Sequence, residues 1–594
     1  MTVATAYRID PAGEATATPS LFGTPVTFGG SMGMLHAGHA PVAVLMLGAI
    51  GYEELCLRAT WRSLAQALAD EGIACLRFDY PGQGDAHETA DVQGLEDWFE
   101  TIRAAAALLR RASGCERLVL LGQGLGGTLA LKLAEELSPV AASVLMAPVG
   151  NGKRYLRELS AWTRIVSDRI GIGTDPDDDT RCAVAGLRIV PGRLPAIATL
   201  GTSALRQAPS EQILLLSRPG HGGDAALAEA LTGLGAAVTQ RDYDGYETLT
   251  TDPTAARPPK ATIAGIVDWI AERAKAEDFS PAGIKAPQLP GPAEGLLGDG
   301  FVERPLRFGP DGRLFGVLCE PLGPAAREPI VFVNAGRDYH IGWARVSVSQ
   351  ARAFAGRGIA SLRFDASSVG DSGVAADGPE EILYSQAQID DVRLAIDAIQ
   401  ARGFDAPVLI GRCSGAYAAF HAAVVDERIR RLVIVNNERF VWDPDESVED
   451  AIRYAHRSAG DLGATLARKD GLRRLLTGKL RVGPAGRYLI YRYRKRLSVK
   501  LAPVLRRLTK HGRLHHQCHR HFATLAARNV ELSLLYADGD VGLAELQTYF
   551  GEAGKGLAAY PNASLTMLAD ADHNFTHLAA GRRLLDALIR IVAP

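Results

Sequence analysis

The phrase GIACLRFD at residues 72–79 returns as GIASLRFD at residues 358–365, and the sequence around each phrase returns with it. Before each lies a short apolar run and a turn, APVAVLMLGAIGYEE (40–54) and EPIVFVNAGRDYH (328–340), followed by a helical pattern. After each comes a second helical stretch, 94–112 and 380–402, and then another apolar run, VLLGQGLGGT (119–128) and VLIGRCSGAY (408–417). A further run closes each series, AASVLMAP and IRRLVIVNN. Apolar runs of strand length alternating with helical periodicity specify parallel strands buried on both faces. A chain of 594 residues is also too long for one ordinary core. The expectation is therefore an α/β protein of two tandem domains, each a mostly parallel sheet with helices on both faces. The Pro- and Gly-rich stretch 280–300 reads as a linker, giving domains 1–279 and 301–594.

Seven scattered cysteines without a CxxC pair argue against a disulfide framework or a zinc site and for a reducing cytoplasm. The opening residues show no signal-peptide pattern, and no apolar run is long enough to span a bilayer. The net charge of −2 conceals a basic block: seventeen Lys and Arg stand between Arg468 and Arg520 against one acid, Asp470.

Within VLIGRCSGAY a strand, a G-x-Nu-x-G turn and a helix form a nucleophile elbow. The positions two residues either side of the apex must be tiny. Gly411 and Gly415 satisfy that rule around Cys413, whereas an apex at Ser414 would place Arg412 in one of those slots. Cys413 is thus the candidate nucleophile, with the Ser414 backbone N–H as an oxyanion donor.

On these motifs both halves resemble α/β-hydrolase domains. The resemblance implies a chain order of nucleophile, acid and base, which VELSLLYADGDVGLAEL (530–546) and ASLTMLADADHNFTH (563–577) provide. It assigns Asp540 as the acid, Asp538 as the fallback acid, and His573 as the base. It also implies that the loop NAGRD gives a second oxyanion donor, Gly336 or Arg337. Imidazole can take the thiol proton, the acid fixes its tautomer, and an imidazolium beside a helix N-terminus is expected to lower the thiol pKa. The other six cysteines read as packing residues, and Asp365 as the anchor of a turn. His577 and the run 510–521 could suggest a metal, but His515, His516, His519 and His521 lack carboxylate company within a basic block and read as a solvated face, so no metal and no cofactor is expected.

The first half keeps the elbow without its chemistry. Gly124 stands at the apex, His221 and Asp224 lie after the late strand, and Gly245, Tyr246 and Glu247 occupy the stretch where the family's histidine would fall. It reads as a degenerate domain, and FDYPGQGD with GQGLGG resembles hydrolases encoded with exosortase systems. In the second half, a cap insertion at about 443–525 contains the basic block, with Leu497, Leu501, Leu505 and Leu508 set against Arg494, Arg496, Lys500 and Arg507. Such a cap suits an acidic acyl carrier protein or the phosphates of coenzyme A, a solvated face, or peripheral contact with a membrane. Nucleic acid is not expected. The resemblance implies an acyl-Cys413 enzyme moving acyl groups from a thioester donor to an acceptor. The alternatives are thioester or ester hydrolysis, and a binding or scaffold protein without catalysis.

Overall fold

The computed structural model describes residues 22–88, 92–170, 183–275, 286–290, 293–374, 378–379, 381–449 and 509–593. The chain is mixed α/β, built on two large, mostly parallel sheets and many helices. It divides into two compact units. The first comprises Met1–Ser167, Thr174–Ala326 and Arg337–Ala376, and the second Asp168–Gly173, Arg327–Gly336 and Asp377–Pro594.

In the first unit an eight-stranded sheet opens with the antiparallel strands Thr24–Phe28 and Ser31–His36. It continues through Ala74–Phe78, Ala43–Leu47, Leu118–Gln123, Val140–Met146, Gln212–Ser217 and Ala237–Asp242, which run parallel to one another. Ala43–Leu47 and Leu118–Gln123 are buried along their whole length, as strands covered on both faces must be. One cover is the helix Tyr52–Asp70, whose Leu57, Trp61, Leu64 and Leu68 fall at helical spacing and join a core with Ile266, Trp269 and Ile270 of the helix Lys260–Ala274.

The same unit holds a set of buried charges that pairs the two GIAxLRFD phrases. Asp85 accepts from the Arg363 guanidinium at 2.9 Å, while Asp371 faces Arg77 and accepts from Arg58 at 2.6 Å. Asp79 and Asp365 anchor like turns, accepting the backbone N–H of Asp85 (3.1 Å) and of Asp371 (2.8 Å). The turn-anchor reading of Asp365 therefore matches its contacts. His340, fully buried, lies between Asp85 (Nε2–Oδ2 2.6 Å) and Asp365 (Nδ1–Oδ2 3.0 Å). Those two carboxylates push its pKa up to about 10 against the opposing effect of burial.

In the second unit five strands lie side by side, all parallel, in the order Ile330–Val333, Val408–Arg412, Arg431–Val435, Glu531–Ala537 and Ala563–Leu568. The helix Gln386–Gln400 is capped by the Ser385 hydroxyl, which accepts the Gln388 N–H, and the helix Lys510–Ala527 likewise by Thr509 on Gly512. Of the expected cap at about 443–525, residues 450–508, including the leucine and arginine positions quoted above, lie outside the described residues. The helix Lys510–Ala527 is tied back at its start by Lys510, which pairs with Asp443 and Asp445. Among the described residues no helix is long and apolar enough to cross a membrane.

Candidate active site

Between the strand Val408–Arg412 and the helix Ser414–Val425, Cys413 takes φ 52° and ψ −119°. A non-glycine residue held there costs about 1–3 kcal/mol, which the surrounding structure must offset. The glycines on either side make the turn fit. A Cβ on Gly411 would lie 2.5 Å from the Gly415 carbonyl oxygen, and one on Gly415 would lie 2.2 Å from that of Val333. Cys413 is the apex, and Ser414 is the first helical residue, whose N–H has no intrahelical acceptor by position.

The strands that follow deliver the other two groups. His573 Nδ1 lies 2.6 Å from Asp540 Oδ2, and Asp540 is held by the Gly542 N–H on its other oxygen at 2.7 Å. Asp540 is buried, whereas Asp538 is exposed just past the end of its strand, and it is Asp540 that meets His573. The Cys413 thiol hydrogen-bonds the same imidazole. Gly336 also reaches the elbow, but its N–H donates to the Ser414 hydroxyl at 2.7 Å. One of the two expected oxyanion donors is thus engaged by the side chain whose own backbone N–H is the other.

Four further residues complete the constellation without having been evident in the sequence. Glu438, just beyond the strand Arg431–Val435, turns its carboxylate inward, with Oε1 3.6 Å from His573 Nε2. Asn436, fully buried at φ 49°, donates to the His573 carbonyl (2.8 Å) and accepts from the Ala537 N–H (2.8 Å), joining the two loops. Arg412, beside the nucleophile, donates to Asn574 Oδ1 at 2.8 Å and so steadies the residue after His573. Tyr384 stacks on Trp442 at 4.4 Å and meets Tyr417 edge-on at 5.1 Å. Burial raises the Tyr384 phenol well above its ordinary value, and a thiolate at Cys413 and the Glu438 carboxylate would act in the same direction. The run VNNE was the available signal for Asn436 and Glu438: three polar residues directly after an apolar strand.

The electrostatics correct one expectation. Burial, and then the Glu438 carboxylate, push the Cys413 thiol up rather than down, although His573 and Arg412 pull the other way. His573 is raised well above its ordinary value: burial opposes the charge, but Asp540 and Cys413 outweigh it. The resting thiol is therefore protonated, and it becomes a nucleophile only when His573 is in its neutral form and can take that proton.

In the first unit, Gly124 has the same backbone turn, φ 56° and ψ −122°, with no side chain. Glu53 fills the space: a Cβ on Gly124 would lie 2.5 Å from Glu53 Oε2. Glu53 Oε1 accepts from Gln123 Nε2 at 2.8 Å and from the Tyr246 hydroxyl at 3.2 Å. Asp224 is taken by Arg218 (2.6 Å) and by His221 Nδ1 (3.1 Å). Among the described residues Gly124 brings no nucleophile to this elbow, and His221 is held by Asp224.

The family model described as "Serine aminopeptidase, S33" matches residues 43–173, a stretch that includes the Gly124 elbow. The first half is similar to that family. No curated protein matches the chain. Among solved structures, a proline iminopeptidase from Mycobacterium smegmatis is 17% identical, with 42% of this chain and 98% of that one covered at a TM-score of 0.29. A Paleococcus ferrophilus monoacylglycerol lipase is 15% identical, covering 41% and 98% at 0.28. An alpha-beta serine hydrolase homologue from Coxiella burnetii is 13% identical, covering 49% and 97% at 0.29.

Proposed function

We propose that the chain is an α/β-hydrolase-type enzyme in tandem form. Its second half would carry acyl groups as a thioester on Cys413, from a coenzyme A or acyl-carrier donor to an acceptor. The observation that carries this reading is the line Asp540–His573–Cys413, with the imidazole fixed at 2.6 Å on one side and hydrogen-bonded to the apex thiol on the other.

In this mechanism His573 Nε2 takes the thiol proton as Sγ attacks the thioester carbonyl. The oxyanion is met by the Ser414 N–H and, once the Ser414 hydroxyl turns away, by the Gly336 N–H; each such donor stabilises the transition state by about 3 kcal/mol. Collapse expels the donor thiol, which receives the proton from His573. The acceptor, deprotonated in turn by His573, attacks the acyl carbon and frees Cys413. The wall of Tyr384, Trp442 and Tyr417 offers the acyl group an apolar surface. A thioester intermediate keeps more transfer potential than an oxyester, which favours passage to an acceptor over loss to water. Hydrolysis, with water as acceptor, uses the same groups. The basic segment, of which 450–508 lie outside the described residues, suits an acidic carrier or coenzyme A phosphates, and a cytoplasmic setting suits the free thiol. The first half, whose motifs FDYPGQGD and GQGLGG suggest the hydrolases encoded with exosortase systems, would serve without catalysis.

The test is intact-mass analysis after incubation with acyl-CoA and acyl-carrier panels, comparing wild type with Cys413→Ala and His573→Ala. A mass increase confined to proteins that keep Cys413, or turnover dependent on it, is expected. No adduct and no loss of acyl group across the panel would leave the scaffold reading in its place.

A further inference from the structure

Glu438 has no part in the proton relay just described, and its placement asks for another account. Its side chain is 9% exposed, and its carboxylate faces His573 Nε2 at 3.6 Å, beyond hydrogen-bond length. The nearby Arg439 donates to the Glu438 backbone carbonyl, but its guanidinium pairs with Glu446 at 2.5 Å. The ionic partner of this inward carboxylate is the imidazole itself, at 3.6 Å beyond hydrogen-bond length, which compensates a buried charge only weakly.

We propose that Cys413, His573 and Glu438 bind a borderline-soft divalent metal ion of the Zn²⁺ class, and that its occupancy silences the thiol. The Sγ of Cys413, a ring nitrogen of His573 and a carboxylate oxygen of Glu438 all lie within 4.8 Å of one another. Bonds of about 2.0–2.1 Å to nitrogen and oxygen at a tetrahedral angle need an N···O separation of about 3.4 Å. The observed 3.6 Å is close enough for a side-chain adjustment to complete the site. The Asp540 carboxylate on Nδ1 holds His573 with Nε2 directed inward, the outer-shell arrangement that metal-binding imidazoles use. A thiolate, a carboxylate and a neutral imidazole together carry two negative charges, so a dication makes the buried group neutral. Binding breaks the Cys413 S–H bond and forms an S–metal bond. The thiol proton, and any proton on Nε2, pass to solvent, and nothing is oxidised or reduced.

The other constellation of this kind, His340, Asp365 and Asp371, fails on charge. Asp371 already faces two guanidiniums, Arg58 and Arg77, and the second nitrogen of His340 is taken by Asp85. The Cys413 group has no such guanidinium on its carboxylate.

The experiment uses the full-length, metal-stripped protein titrated with Co²⁺ and then Zn²⁺. A thiolate-to-cobalt charge-transfer band saturating at one equivalent is expected, displaced by Zn²⁺ and absent in Cys413→Ser. Zn²⁺ should slow iodoacetamide alkylation of the peptide bearing Cys413 at least about tenfold, and Glu438→Gln should weaken Zn²⁺ binding about 10- to 100-fold. His515 and His519, whose Nε2 atoms lie 3.3 Å apart on one helix, supply the control. The double variant His515→Ala/His519→Ala should keep the thiolate band. Absence of the band in wild type, its survival in Cys413→Ser, its loss in the histidine double variant, or an unchanged affinity in Glu438→Gln would each overturn the proposal. None of these readouts involves acyl transfer, so the metal site and the acyl-Cys reading stand or fall separately.

Discussion

Replacing His340 by Gln removes the one cation that two buried carboxylates share. The wild-type imidazolium is fully buried, 2.6 Å from Asp85 and 3.0 Å from Asp365, under the rings of Phe315 (5.0 Å) and Tyr339 (5.2 Å). Its pKa rises from 6.5 to about 10, which by linkage corresponds to a contribution of about 5 kcal/mol as an upper bound. Mutational experience with broken buried pairs gives about 3–5 kcal/mol. Because the folded pKa is the higher one, this stability is fully present below about pH 6.5 and is lost as pH rises through about 10. The loss will not be total for either acid. Asp85 keeps Arg363, and Asp365 keeps the backbone N–H groups of His340 (2.5 Å) and Asp371 (2.8 Å). We therefore expect His340→Gln to cost about 3 kcal/mol at pH 6.5 and about 1 kcal/mol at pH 10. Amide exchange of the peptides containing Ala74–Phe78 and Ser361–Phe364, measured at pH 6.5, reads the cost locally. Thermal scans from pH 6 to pH 10 read whether the gap closes. A gap that stays constant across that range, or one below about 1 kcal/mol at pH 6.5, would refute the buried imidazolium.

Other outcomes follow from the same geometry. Asp540→Asn should lower the acylation rate of Cys413 by about 10⁴ with little change in folding, because the imidazole loses its tautomer partner; stopped-flow acylation checks it. Asn436→Ala should lower kcat about tenfold or more by loosening the loop that carries His573, and a comparable rise in KM alone would count against this positioning role. Gly124→Ser should lower the melting temperature and give no new activity, since its Cβ meets Glu53 at 2.5 Å and the backbone is at φ 56°. A Gly124→Ser protein with acylating activity would mean that Glu53 is not a fixed plug. Ser414→Ala should free the Gly336 N–H from its 2.7 Å bond, and it should speed or leave unchanged the acylation step. A loss of more than about tenfold would assign the hydroxyl a part in catalysis.

What could be read in advance was what local sterics dictate. Glycine spacing places Cys413 rather than Ser414 at the apex, because Gly411 and Gly415 meet backbone where any Cβ would collide. The choice of Asp540 over Asp538 came from the resemblance to α/β-hydrolases, whose acid falls a few residues past the strand end, and His573 meets Asp540. The direction of the thiol's shift was misjudged, because a linear sequence shows the helix and the histidine but not how deeply the thiol is buried. Nor does it show that Glu438 faces the thiol. Glu53 was invisible for a related reason: its carboxylate enters the empty elbow from a helix seventy residues upstream in the chain. The pairing of Asp85 with Arg363, or of Arg58 with Asp371, depends on two distant turns meeting, which no periodicity encodes.

Those last pairs have a consequence for the chain's history. Asp85 pairs with Arg363 of the later phrase and Asp371 with Arg77 of the earlier one, like residues exchanged between the two copies, and Arg58 of the helix Tyr52–Asp70 adds a second guanidinium to Asp371. This is the contact pattern of a self-complementary dimer, here written into one polypeptide. Under such an arrangement selection on catalysis and selection on solvation of the charges act on different residues. Excising the earlier stretch would leave His340 with Asp365 alone and Arg363 with Glu303 alone, and would take both guanidiniums from the buried Asp371, so the earlier stretch acts as a counterion to the later one.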